Sequence, residues 1–555
     1  MPRHFPAALL LPGDAFDIDR HQVMGRRVAG RSFARGLVGS LQPQERLTLL
    51  VASPEEQERL GQLLEPVRPA ASQLELVLGF EPARLAEIGA LHVPDPGIAR
   101  WSLLRAGRPA AAFSLTGVIH TICSEAVISS LEQLSTAPLE PWDALVCTST
   151  AGQAVVQAAM ASQHGALERR FGLALPKPPG PQLPVIPLAV EDGLPRSAGE
   201  DREALRQEAR QRLGLPATAH VVLFVGRLSF HSKGHPLVLY RALARLAADH
   251  PEVLLLECGH LFNNHVAAAF EDLQRCFPQL PVRRLGGLNP ATDEEKALAL
   301  AAADVFVSPA DNLQETFGLS VIEAMAAALP VVVSDWNGYR DLVLEGETGY
   351  RIPTRAALAP ATQLDALDRT YRLGLMDYDT MVGLRSLTVV VEEEPLLAAL
   401  RRLHDQPGLR QQLGAAGRRR WQQQFAWPVV AQQYRELWLE LAARRRQAPQ
   451  GPPPPSPWAS TAQLFAGYAS TSFQAQALRV PPLATPAAWL RRPMQRPFFS
   501  QLCGSAFDAL IEHLERHGRV DRQDLSALGI DPAQQLNVLA ALVKFGVAVP
   551  EASQQ

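Results

Sequence analysis

Short apolar runs recur along the first 440 or so residues, most closing on a turn residue and followed by a stretch with helical spacing. Ala7 to Gly13 (AALLLPG) reads as a strand ending at a glycine turn. The segments LTLLVAS, LELVLGF, AAFSLTG and WDALVCTS read as further buried strands, because each is short, apolar and bounded by polar or turn residues. Asp19 to Leu37 reads as a helix, with Met24, Val28, Phe33 and Leu37 on or near one face. The proline-punctuated segment Leu183 to Val190 (LPVIPLAV) reads as the crossing into a second domain.

Beyond the crossing the alternation is sharper. Strand Val221 to Gly226 is followed by a helix from Pro236 to Ala248, then by strands VLLLEC and VRRLGG. A helix from Glu294 to Ala303, strand Asp304 to Pro309, a helix from Gly318 to Ala328 and strand Pro330 to Asp335 complete the pattern. Alternating strand and helix of this kind predicts a parallel, doubly wound sheet. The expected fold class is therefore α/β, with two Rossmann-like doubly wound domains facing a cleft. A last long helix is expected from Trp427 to Arg446.

Composition then changes. Gly451 to Pro457 (GPPPPSP) reads as an extended, semi-rigid linker, and Trp458 to Phe499 carries many Pro, Arg and aromatic residues without a clean period. From Ser505 helical spacing returns: FDALIEHLERHG, then Asp521 to Leu528 and Pro532 to Phe545, before a final GVAV strand. This tail reads as a small, mostly helical, winged-helix-like module. The expected divisions are 1–190, 191–447, 448–499 and 500–555. The third helix of the tail carries Lys544 as its only base, which argues against phosphate-driven nucleic-acid binding and favours a protein partner or self-association through 500–555.

At 555 residues the chain exceeds one core, and 47% apolar with 20% charged residues fits a folded, globular protein. A formal net charge of -3 gives no support to a nucleic-acid partner. Five cysteines, odd in number and without CxxC spacing, fit reduced thiols rather than a disulfide frame or zinc site. Without an apolar run of the roughly 20 residues needed to span a bilayer, the expectation is a cytoplasmic protein, with peripheral contact at the inner face of a membrane left open.

The chemistry concentrates in Gln314 to Glu323 (QETFGLSVIE), between the strands DVFVSP and PVVVSD. An acid at the mouth of a strand, a glycine at a helix start and an acid within that helix would face the crevice where open α/β sheets bind ligands. Amides around Phe317, Gly318 and Leu319 at the helix N-terminus suit a phosphate. Carboxylates at Glu315 and Glu323 suit sugar hydroxyls. A nucleotide sugar offers both groups. Arg227, directly after a buried strand, and Lys233, in the loop opening the next helix, are candidate cations for a leaving diphosphate. Gly13 would let a diphosphate approach closely. His120 lies just past a strand, and Asp14, Asp19, His92 and Asp95 are weaker candidates for contacts on the acceptor side.

The block from Glu315 to Glu323 resembles the E-x7-E signature of retaining GT-B glycosyltransferases, in particular glycosyltransferase family 4. Gly226-Arg227-Leu228 with Lys233-Gly234 is similar to that family's donor-phosphate motif, and SDWNGYRDLV (Ser334 to Val343) and EGETGYRIP (Glu345 to Pro353) follow in the family's order. The resemblance covers about Pro184 to Trp438 and is weaker upstream, where one glycine stands in place of a double-glycine loop. It implies hexosyl transfer from a nucleotide-diphosphate sugar to a saccharide, lipid-linked or small-molecule acceptor. Configuration would be retained by a front-face route in which the donor phosphate helps deprotonate the acceptor. It also implies that Glu315 and His120 contact the transferred sugar and that Glu323 accepts from the nucleotide ribose. The Trp427 to Arg446 helix would cross back onto the first domain. No DxD motif stands in a turn, and no His/Cys cluster has ligand spacing, so the expectation is no metal and no cofactor beyond the co-substrate. The rival reading is a GT-B scaffold that has lost catalysis and serves as a binding or regulatory subunit. A nicotinamide dehydrogenase fits worst, because neither glycine turn carries G-x-G-x-x-G.

Overall fold

The computed structural model describes residues 3–16, 25–192, 202–357, 365–449, 458–471, 473–474, 477–482 and 484–551, with the side chains of 25 and 26 left aside. Two compact units result, Met1–Pro457 and Trp458–Gln555. The first unit holds two α/β lobes.

Lobe one is a seven-stranded parallel sheet of β1 (Arg3–His4), β2 (Ala8–Leu10), β3 (Glu45–Val51), β4 (Gln73–Leu78), β5 (Ala90–His92), β6 (Ser114–Val118) and β7 (Ala144–Val146). β4 lies beside β3, followed by β2, β5, β6 and β7, so the order reverses between β2 and β5. Alternate side chains enter opposite cores: Leu9, Leu47 and Leu49 on one face, Ala8, Leu10, Leu50 and Leu91 on the other. This two-sided burial is why the strands read as continuous apolar runs. The expected first helix is observed as Gly25–Gly39; Asp19 to Met24 lie outside the described residues.

Lobe two repeats the plan with β8 (His220–Leu228), β9 (Val253–Leu261), β10 (Val282–Leu285), β11 (Val305–Ser308), β12 (Val331–Ser334) and β13 (Gly349–Ile352) in the order β10-β9-β8-β11-β12-β13, all parallel. Its switch in strand order falls between β8 and β11, the strands that lead into the Arg227–Lys233 loop and the Glu315 loop. Two parallel, doubly wound Rossmann-like lobes of this kind make a GT-B fold.

The chain leaves lobe one at Val190, which bridges Ala426, and returns through the helix Trp427–Arg446. That helix buries Trp427, Val430, Ala431, Tyr434, Leu437, Trp438 and Leu441 in the core of lobe one. The three- and four-residue spacing makes one apolar stripe. Trp438 Nε1 donates to Thr116 Oγ1 at 3.1 Å and Trp427 Nε1 to Ser32 Oγ at 3.1 Å. Gly36 leaves the space that Trp427 fills, since a Cβ there would lie 1.9 Å from the indole.

The second unit has a three-stranded antiparallel sheet of β16 (Ala477–Arg479), β17 (Arg519–Asp521) and β18 (Val549–Pro550), with β16 in the centre. A small antiparallel pair in the first unit, β14 (Thr354–Ala356) and β15 (Val389–Val391), precedes it in chain order. Helices Phe507–His517, Arg522–Ala527 and Pro532–Lys544 pack over the three strands, burying Leu510, Leu514, Leu539 and Leu542. The central strand comes from the segment read as having no period. The closing strand begins at Val549, while Val547 and Ala548, expected within it, turn into the core. No helix among the described residues is long and apolar enough to cross a membrane.

Candidate functional site

Lys233 and Glu315 meet. The Lys233 ammonium forms a salt bridge to Glu315 Oε2, and the two side chains are 24% and 10% exposed. Local geometry brings them together: a Cβ at Gly234 would stand 2.7 Å from the Pro309 carbonyl, so glycine lets the lysine loop press against the exit of β11. Burial drives the Glu315 carboxyl towards the neutral form, but the lysine charge and the amides of Phe317 and Thr316 outweigh it and hold the pKa below the usual value.

The Glu315 loop is fixed from the side by the segment after β12. Asn312 Oδ1 accepts from the amides of Gln314 (2.9 Å) and Glu315 (3.2 Å). Trp336 Nε1 donates to the Asn312 carbonyl at 2.8 Å, and Asn337 Nδ2 donates to the Glu315 carbonyl at 2.8 Å. The Tyr339 hydroxyl hydrogen-bonds Ser308 Oγ at 2.8 Å, and its ring closes over Gly318. Gly318 has φ 114°, in the left-handed region that favours glycine, and an added Cβ would lie 2.4 Å from Tyr339 Cε1. Gly318 caps the helix Leu319–Ala326, whose first amides have no partner within the helix. Phe317 is buried, and its amide is turned towards Glu315. Of the three residues expected to offer amides to a phosphate, Phe317 has its amide serving the carboxylate.

Glu323 sits on the same helix and pairs with Lys296 at 2.9 Å. A lysine from the helix Asp293–Ala302 thus supplies the partner that an acid on an otherwise apolar helix requires. Sequence reasoning missed Lys296, because its link to Glu323 spans 27 positions and follows no local spacing. It also missed a glycine shelf. Gly226 and Gly259 are in register on β8 and β9, with Gly286 next to Gly259 after β10. An added Cβ would lie 1.7 Å from the Gly226 carbonyl at Gly259 and 2.0 Å from the Gly259 carbonyl at Gly286. Backbone therefore approaches backbone closely at the mouth of the sheet, where a side chain would not fit. The signal that could have found it is a glycine near the C-terminal end of each of the three strands. Arg227 follows Gly226 and donates to Ser232 Oγ at 3.4 Å.

His120 lies in the loop after β6. Ile119, the residue before it, and Thr316 both lie close to Gly152. The lobes are bonded directly here: Ser149 Oγ donates to the Thr316 carbonyl at 2.9 Å, and Asp341 accepts from the Thr150 amide (2.6 Å) and hydroxyl (2.7 Å). Farther along, Arg372 makes two bonds to Glu132 (2.8 and 2.7 Å), and Tyr378 joins Cys123 (3.3 Å) to Gln314 (3.1 Å).

The other candidates in lobe one separate. The Gly13 amide donates to Glu56 Oε1 at 2.8 Å, so a carboxylate of the protein's own stands where a diphosphate was expected. His92 is not on the acceptor side. It is buried against Phe33, Tyr434 and Trp438, with its pKa driven down to about 3 by burial. Asp14 and Asp95 do line a cavity of about 540 Å³ at the C-terminal ends of β2, β3 and β4, with Phe80, Arg100 and Trp101. Asp19 lies outside the described residues.

Residues 206–367 match the family described as "Glycosyl transferases group 1". A D-inositol 3-phosphate glycosyltransferase of Corynebacterium kroppenstedtii is 36% identical over 186 residues, 32% of this chain and 40% of that protein. A phosphatidyl-myo-inositol mannosyltransferase of Mycobacterium leprae is 34% identical over 162 residues, 29% of this chain and 40% of that protein. These matches span about 40% of the length of the curated relatives. The crystal structure of Anabaena HepE in complex with UDP superposes with a TM-score of 0.51 at 15% identity, covering 78% of this chain and 100% of that one, a likeness of fold. Residues 206–367, which carry the Lys233–Glu315 pair and the acid at Glu323, are thus similar to glycosyl transferases group 1, within a chain of GT-B fold.

Proposed function

We propose that the protein is a retaining glycosyltransferase that moves a hexosyl group from a nucleotide-diphosphate sugar to a saccharide, lipid-linked or small-molecule acceptor. The observation that carries this reading is the half-buried Lys233–Glu315 pair at the mouth of the second sheet, beside the glycine shelf and a helix N-terminus without a side-chain cap. The glycine shelf at Gly226, Gly259 and Gly286 suits the flat nucleoside. Glu323, held by Lys296, keeps a second oxygen for ribose hydroxyls. Lys233, Arg227 and the amides of Gly318 and Leu319 suit the diphosphate, so that fixed cations and dipoles, rather than a metal, stabilise charge as the leaving group departs. When Lys233 turns to the phosphate, Glu315 is released to accept hydroxyls of the transferred sugar. The acceptor oxygen attacks the anomeric carbon on the face the phosphate leaves, and its proton passes to that phosphate. His120 approaches the sugar from lobe one, and the cavity lined by Asp14, Asp95 and Trp101 receives the acceptor.

The test is a panel of nucleotide sugars screened by thermal shift, followed by transfer and donor-hydrolysis assays. A ligand that binds only the folded state raises apparent stability. At least one donor should be turned over with its anomeric configuration kept, and Glu315→Gln and Lys233→Met should lower turnover by 100-fold or more, roughly the loss of one well-placed charge contact. Wild-type turnover in both variants, or inversion at the anomeric carbon, overturns the proposal.

A further inference from the structure

At the end of lobe two opposite the cleft, three histidines and two acids from separate elements converge. His250 ends the helix Leu237–Asp249, Glu252 precedes β9, His404 and Asp405 close the helix Glu393–Asp405, and His220 opens β8. Ligand atoms of His250, His404 and Asp405 all lie within 4.8 Å of one another. Two ligands of one zinc ion, each bonded at about 2.0–2.2 Å, stand roughly 3–4 Å apart. Small side-chain rotations therefore bring this set to bonding geometry.

The hydrogen bonding of His404 gives a second, independent indication. Its Nδ1 faces Asp405 Oδ1 at 2.9 Å and its Nε2 faces Glu252 Oε1 at 2.8 Å. The Glu252 contact orients the ring as a carboxylate does behind a metal-bound histidine, and the Asp405 contact brings a second carboxylate oxygen to the other ring nitrogen. The His250 ring centroid lies 4.0 Å from that of His404, the planes tilted by 42°, so a second imidazole stands beside the first. On the far side His220, 5% exposed, meets His404 edge-on at 4.9 Å and leaves Nε2 without a hydrogen-bond partner.

We propose that His250, His404 and Asp405 bind a divalent transition metal of the zinc class. Glu252 accepts from the remaining N–H of His404 and fixes its tautomer, as carboxylates commonly do behind metal-bound histidines. Two imidazoles, one carboxylate and a water make a four-coordinate set suited to zinc, nickel or copper rather than magnesium or calcium. The ion ties together the ends of two helices that pack on each other through Leu243, Leu246, Leu400 and Leu403. The role is structural and independent of the activity proposed above, since the switch in strand order opens at the other end of the sheet. Residue spacing gives no sign of the site, because about 150 positions separate its two histidines.

The test uses the full-length protein without a histidine tag, stripped with chelator, and zinc chloride as the probe. Calorimetry should find one zinc per chain at this site, and zinc should raise Tm. His404→Gln and Asp405→Asn should abolish or sharply weaken this binding, and Glu252→Gln should lower affinity by about 10- to 100-fold. The exposed His265→Ala should leave it unchanged. Circular dichroism checks that each variant is folded, and Asp405→Asn, on the surface, is the least disruptive. No zinc binding by wild type, or binding by Asp405→Asn and Glu252→Gln equal to that of wild type, overturns the proposal.

Discussion

Replacing Lys233 with methionine isolates the central charge pair. The methylene stem is largely kept, but Glu315 is left ionised at 10% side-chain exposure. Removing one partner of a buried ion pair costs about 3–5 kcal/mol. Here Lys233 is itself 24% exposed, and the amides of Phe317 and Thr316 still serve the carboxylate, so about 2–3 kcal/mol is expected at pH 7. For a lobe of this size that is a fall of about 5–10 °C in Tm. The pH dependence follows from the direction of the shift. In wild type the Glu315 pKa is depressed, so the pair stabilises above the ordinary carboxylate pKa of about 4.5, and this is lost as pH falls through the lower folded value. Without Lys233, burial dominates and the pKa rises above that of the unfolded chain. Glu315 then destabilises the variant at pH 7, and the penalty shrinks as the pH falls towards 5 and the carboxyl protonates. Differential scanning fluorimetry of wild type, Lys233→Met and Lys233→Met/Glu315→Gln at pH 5 and pH 7 reads this directly. The double variant should recover most of the lost Tm at pH 7. A single-variant deficit that does not change with pH, and no recovery in the double variant, would refute the charge-compensation argument.

Gly318→Ala should lower lobe-two stability by at least about 1–3 kcal/mol, because alanine is strained at φ 114° and its Cβ meets Tyr339; chemical denaturation measures it, and a silent substitution contradicts the geometry. Arg372→Ala combined with Asp341→Asn removes two links between the lobes and should increase the radius of gyration in small-angle scattering, while each solvent-accessible link contributes only about 1 kcal/mol to stability; an unchanged scattering curve counts against these bonds as what holds the lobes together. Trp438→Ala empties the largest fully buried side chain and should cost about 3–5 kcal/mol, felt in lobe one rather than lobe two, as hydrogen exchange would resolve.

The elements legible in the sequence were those buried on both faces. β8, β9, β11 and β12 are continuous apolar runs, and the observed bounds of the Trp427–Arg446 helix coincide with its spacing. β1 and β5 went unread because two or three residues carry no period. β13 is an edge strand with Tyr350 and Arg351 half-buried, so its apolar signal is diluted. β16 is hidden among prolines and arginines, and the helices Ala366–Arg372 and Tyr378–Ser386 leave many positions exposed. Lys233, Glu315 and Glu323 stood out by residue type and spacing. The groups that hold them did not: Asn337, Tyr339 and Lys296 act through contacts that only tertiary folding creates, while Asn312 bonds the amides of its own loop. Nothing near Gly13 in sequence announces Glu56, 43 positions away, which takes its amide.

The helix Trp427–Arg446 has a consequence for how the chain is made. Leu47, Val51 and Leu64 have emerged from the ribosome long before Trp438 and Leu441, which finally cover their side of the sheet. Roughly 250 residues separate Val190 from Leu441, and at ~5–20 residues per second the wait is on the order of 10–50 s. During that interval the nascent lobe carries an apolar stripe open to solvent, a natural seat for a chaperone. A fragment cut at Val190 would keep that stripe permanently, and should be recovered as aggregate unless the 427–446 peptide is supplied in trans.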